Sequence, residues 1–100
     1  MPITPIPAAA EGMPNFSRRE SDDAYSFVVC RLNARWRVIR CRDEIQWIVQ
    51  TINQIRDRRA EWKGVKYLRT RDGLICSSCK VAGEIDPSAL ATLHALPERI

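Results

Sequence analysis

At 100 residues the chain is long enough for one compact domain and too short for two. Hydrophobic residues at 45% and charged residues at 28% exclude disorder over the full length. A formal net charge of +4 points to an acidic partner but excludes the heavy cationic surplus of a histone-like protein.

Of the 16 cations only Lys63, Lys66 and Lys80 are lysines, so arginine dominates, with a planar five-donor fork suited to phosphate and carboxylate. A GC-rich coding sequence produces the same bias. No run reaches the roughly 18 apolar residues of a membrane span, and no charged n-region precedes an apolar h-region. The expected location is therefore cytoplasmic, with the four cysteines reduced rather than paired in disulfides.

Residues 1–23 carry Pro2, Pro5, Pro7, Gly12 and Pro14, then a Ser-Arg-Arg-Glu-Ser-Asp-Asp stretch, and read as a disordered N-terminal tail within which Met13 is an alternative start. Residues 24–100 make up the single domain. Residues 25–32 are β-branched and aromatic, Asn33-Ala34 supplies turn chemistry, and residues 36–41 form a second strand. After a turn at residues 42–44, residues 45–50 form a third, giving an antiparallel meander.

Residues 51–64 hold Gln54, Arg56, Asp57, Arg58, Arg59, Glu61 and Lys63 among scattered apolar residues and read as a long charged loop. Alternation resumes at residues 65–70 as a fourth strand. A helix is expected from Arg71 to about Ala82, stopped by Gly83. A second begins with Asp86 as N-cap and Pro87 at the first helical position, carries Leu90, Leu93 and Leu96, and ends before Pro97. The expected fold is α+β, a four-stranded antiparallel meander packed on two C-terminal helices.

Strand alternation assigns Tyr25, Phe27, Val29, Trp36, Val38, Ile45, Trp47, Val49, Val65 and Tyr67 to a core face. The other face collects Val28, Cys30, Ile39, Cys41, Ile48 and Leu68, rimmed by Arg37, Gln46, Gln50, Lys66 and Thr70. Two short helices cover one face, so the second is expected to meet a partner or another copy in a homodimer, or to lie under the tail and the long loop.

Catalytic constellations are sparse. Cys76 and Cys79 form a CxxC pair able to chelate a metal or cycle with a disulfide, but the pair lies inside a helix and the other ligands of a zinc site are missing. The bland reading is two small hydrophobes. His94 has no triad partners, and no glycine-rich phosphate loop is present, so no enzymatic activity and no cofactor are expected.

The best site candidate is the gathering of Arg35, Arg37, Arg40, Arg42, Arg56, Arg58, Arg59, Lys63, Lys66, Arg69 and Arg71, flanking an apolar centre of Ile39, Ile48 and Leu68. With Trp62 or Tyr67 available for stacking, the cations suit nucleic-acid phosphates; the interleaved acids also fit a merely solvated face.

The residues Arg35-Trp36-Arg37-Val38-Ile39, Ile45-Gln46-Trp47-Ile48, Trp62-Lys63-Gly64, Thr70-Arg71, Gly83-Glu84-Ile85-Asp86-Pro87 and Leu96-Pro97 resemble a family of short uncharacterised alphaproteobacterial proteins, often encoded near mobile elements. The resemblance covers residues 35–100 and carries no catalytic signature. It implies an accessory role: a small inhibitor docking on a protein or nucleoprotein partner such as a host defence nuclease, or a DNA-binding helper. Expectations thus rank a non-catalytic docking protein first, a nucleic-acid-binding module second and a thiol or zinc protein third.

Overall fold

The computed structural model describes residues 17–100, so the proline-rich part of the expected tail and Met13 lie outside the described residues. Four strands run β1 (Val28–Arg31), β2 (Trp36–Arg40), β3 (Trp47–Arg56) and β4 (Arg59–Leu68), followed by α1 (Arg71–Ala82) and α2 (Pro87–His94). The strands pair antiparallel in chain order, which is the expected meander with two C-terminal helices.

Both helices begin on the side chains that the sequence nominates. The Thr70 hydroxyl accepts the Gly73 N–H at 3.1 Å, and Asp86 accepts the Ser88 N–H at 2.8 Å, each satisfying a first-turn donor that has no partner within the helix. Gly83 ends α1 at φ 74, where a residue with a Cβ is strained. The Asn33 side chain ties this corner to the β1–β2 turn by donating to the carbonyls of Ala82 and Glu84.

The helices pack Leu74, Ala89 and Leu93 on Leu32, Val38, Trp47 and Val49, with Trp36, Val29 and Ile75 partly buried around them. Two irregularities in register redistribute the face assignments. A bulge between Val28 and Cys30 puts Cys30 on the helix side, and another opposite Val65 leaves Leu68 beside Trp47 and Tyr67 beside Ile48. Leu68 therefore packs against the helices, while Tyr67 lies on the second face and Ile45 is exposed in the turn before β3.

The charged stretch 51–64 is not a loop. β3 runs on to Arg56, Asp57 and Arg58 make a two-residue turn with φ of 50 and 66, and β4 returns from Arg59. Positive φ at both central residues is the geometry that matches the right-handed twist of a hairpin, and here it is reached without glycine or asparagine. Because β2 pairs with β3 only over Trp47–Thr51, the hairpin extends past its neighbour as a two-stranded ribbon, and residues 53–59 are all exposed.

The second face is covered over much of its apolar centre. Residues 17–26, seven of them assigned to the tail, form a closed loop over it: Ser17 donates its N–H to Ala24 O, and Ser17 O accepts from the Ser26 N–H. Tyr25 and Phe27, expected in the helix-side core, belong to this cover and pack with Ile39, Cys41 and Ile48 in a second cluster. The covering loop also reaches the outer edge of β4, where the Trp62 N–H donates to Ser21 O at 2.8 Å.

Candidate functional site

Arg37 is the group that holds the cover down, and it is 1% exposed. Its side chain alternates onto the second face between Arg31 of β1 and Gln50 of β3. Nε donates to Gln50 Oε1 at 2.7 Å, Nη1 to Asp23 O at 3.3 Å, and Nη2 to Glu20 O and Asp22 O at 3.0 and 2.9 Å. The guanidinium also lies 4.4 Å from the centre of the Trp62 ring, whose Nε1 donates to Asp23 Oδ1.

Burial pulls the Arg37 pKa down to about 10, with Asp23 and Asp22 opposing the fall, so the side chain stays a cation at neutral pH. A buried charge without a carboxylate at contact distance is tolerated because carbonyl dipoles and an aromatic face replace its water. Arg37 is thus a structural residue and not a partner contact. Ile39 and Ile48, expected at the heart of a docking face, are buried at 0% and 2%, and Leu68 is engaged by the helices.

Two further expected site residues are also occupied. Arg40 is half-buried, within 3.6 Å of Glu44 and over the Phe27 ring, and Arg71 donates to Leu96 O at 3.0 Å. The structure leaves Arg35, Arg42, Arg56, Arg58, Arg59, Lys63, Lys66 and Arg69 exposed. Among the described residues the Arg40–Glu44 contact is the one ion pair, so none of these eight is neutralised by a carboxylate at close range.

The distribution of charge is uneven. From Trp47 to Arg69 the β3–β4 hairpin and the residue after it carry Arg56, Arg58, Arg59, Lys63, Lys66 and Arg69 against Asp57 and Glu61, an excess equal to the whole chain's +4, with Arg56, Arg58 and Arg59 on the projecting ribbon. The rest of the molecule is balanced. The hairpin therefore carries the net field, and its tip projects part of it away from the globular body.

Beside the ribbon a cleft of about 360 Å³ opens between the covering loop and β4, lined by Arg19, Glu20, Ser21, Arg42, Ile48, Gln50, Trp62, Gly64 and Tyr67. A second, of about 260 Å³, continues past Arg19 to Arg56 and Arg59, with Asp22, Asp57 and Glu61 also in its wall. Arg18 and Arg19 escaped the sequence reading because they lie in the stretch assigned to the tail. Of the two aromatics expected to stack on a ligand, Trp62 is buried in the grip of Arg37, and Tyr67 is 56% exposed.

Cys76 and Cys79 lie exposed within α1, Cys30 is half-buried and Cys41 buried, all four as free thiols. Burial pushes the Cys30 thiol up to about 11, away from the thiolate form that metal binding and redox exchange require. Among the described residues no group of three or more His, Cys, Asp or Glu side chains is placed to hold a metal ion, and no helix is long and apolar enough to cross a membrane.

Comparison with protein-family models, with curated proteins and with solved structures gave no significant match.

Proposed function

We propose that the protein is a non-catalytic nucleic-acid-binding module that engages the phosphate backbone through the arginines and lysines of the β3–β4 ribbon. The observation that carries this reading is a net charge equal to the whole chain's on the β3–β4 hairpin and Arg69, with Arg56, Arg58 and Arg59 at the projecting, exposed tip. A two-stranded ribbon is slim enough to enter a groove of a nucleic acid, and arginine forks pair with phosphate oxygens in two places at once. Docking on a protein through an apolar sheet face loses its surface, because residues 17–27 lie over that face. A nucleoprotein partner remains compatible, as does an accessory role beside mobile elements.

Titration of a duplex and of a single strand at several salt concentrations tests the reading. Phosphate contacts release counterions, so log K should fall with log salt at about 0.7–0.9 per contact. Replacing Arg56, Arg58 and Arg59 together by alanine should lower that slope by about 2–3 while leaving the fold intact. Binding that ignores both salt and the triple replacement would refute the ribbon as the contact surface.

A further inference from the structure

The nucleic-acid reading leaves open which form of nucleic acid is bound, and the cleft beside β4 bears on that. Tyr67, the penultimate residue of β4, faces away from the helices opposite the buried Ile48, and it is 56% exposed. Its ring does not stand out into solvent. It lies across Gly64 of the same strand, so close that a Cβ on Gly64 would come within 2.9 Å of the ring carbon Cζ and 3.0 Å of an Ile48 methyl. The glycine is what lets the ring rest on the sheet, with the cleft beside it.

Around the ring stand groups of the kind a nucleotide requires. Arg19, from the covering loop, and Arg42, from the β2–β3 turn, are exposed in the same cleft and, among the described residues, have no carboxylate at ion-pair distance. Glu20 also faces it, but one of its oxygens is occupied by the Arg42 backbone N–H at 2.7 Å, which fixes the carboxylate in place. A fixed carboxylate repels phosphate, and it accepts from the exocyclic amino groups of cytosine, adenine and guanine. The volume of about 360 Å³ falls in the lower part of the range for ligand sites, about 300–1,000 Å³, and suits one nucleotide.

From these positions we infer that the cleft is a subsite for an unpaired base, stacked on Tyr67 with its adjoining phosphate on Arg19 and Arg42, so that the module's ligand is single-stranded. A base inside a duplex keeps both faces stacked on its neighbours and cannot lie on Tyr67. A single strand, DNA or RNA, offers its faces freely, and base–aromatic stacking is the usual device for holding one. Continuity of this cleft, past Arg19, with the one that reaches Arg56 and Arg59 gives the neighbouring phosphates a path to the ribbon tip. The inference rests on the nucleic-acid reading and narrows it.

The test uses the full chain, a ten-nucleotide mixed-sequence single strand carrying one 2-aminopurine, and the matching duplex. Affinities are measured by anisotropy, and stacking by quenching of the fluorescent base. Wild type should prefer the single strand and quench it. Tyr67→Ala should weaken single-strand binding by roughly five- to a hundredfold and abolish quenching, with duplex affinity unchanged.

Tyr67→Phe keeps the ring and should bind and quench like wild type, which separates loss of a stack from loss of fold. Single-strand affinity and quenching that survive Tyr67→Ala, or a wild type that binds duplex at least as tightly, would overturn the subsite while leaving the ribbon reading standing. Failure of wild type to bind either form at low salt would overturn the nucleic-acid reading itself.

Discussion

Replacing Arg37 by alanine removes the anchor of the covering loop, and the structure lets the cost be apportioned. Four hydrogen bonds and one ring contact disappear, but not every acceptor is orphaned. Glu20 O keeps the Gln50 Nε2 donor, and Asp22 O keeps the Tyr25 N–H. That leaves Asp23 O and Gln50 Oε1, each costing about 1–3 kcal/mol if it stays buried and unpaired. The lost guanidinium–indole contact adds about 1–2 kcal/mol, and relief from desolvating the cation subtracts from the total.

A net loss of about 3 kcal/mol follows, a substantial share of a typical domain stability of about 5–15 kcal/mol. Urea denaturation measures that loss. Amide exchange locates it: the Trp62 and Ser26 amides, which donate to Ser21 O and Ser17 O, should exchange faster in the variant, while those of α1 follow global stability alone. Arg37→Lys keeps the charge but not the fork and should lose about half as much. A stability within about 0.5 kcal/mol of wild type, with cover amides unchanged, would refute the anchoring role.

Three other outcomes are expected. Asp57 and Arg58 hold left-handed backbone without glycine, so the pair D57N/R58G should stabilise the hairpin by about 0.5–2 kcal/mol in urea denaturation; no gain would contradict the turn geometry. Burial, reinforced by Glu20 and Cys41, pushes the Tyr25 phenol up to about 12, and burial pushes the Cys30 thiol to about 11. Both exceed their unfolded values, so the unfolded chain loses these protons first. The contribution is complete below pH 9 and is lost as pH rises from about 9 to 12, which a melting series resolves; stability constant to pH 12 would count against both environments. Thiol titration of the native protein should modify Cys76 and Cys79 rapidly and Cys30 and Cys41 only on unfolding; four equal rates would place all the cysteines at the surface.

The helices were legible because their signals are local. Thr70 and Asp86 as caps, Pro87 in the first turn and Gly83 at the stop need nothing beyond a few neighbours in the chain. The ribbon was hidden for the opposite reason. A hairpin exposed on both sides has no face to keep apolar, and Asp57-Arg58 is not a turn that composition announces, so residues 51–64 looked like a loop. Trp62 was the available clue, since a tryptophan among charges needs something to cover it.

The covering loop was hidden more deeply, because Arg37 grips main-chain carbonyls that carry no side-chain signature. An arginine alternating onto the face of Ile39 and Ile48, across from Gln50, was the trace it left. The face assignments of Cys30, Leu68 and Tyr67 failed at bulges, where a single extra residue reverses the alternation.

The most direct test of the account is a nuclear magnetic resonance titration of the labelled full chain with a short single strand, following every backbone amide. Shifts should concentrate on the ribbon from Gln54 to Lys66, on Tyr67, and on Arg19 and Arg42, leaving α1 and α2 still. Shifts centred on the helices around Cys76 and Cys79, with the ribbon unmoved, would contradict it.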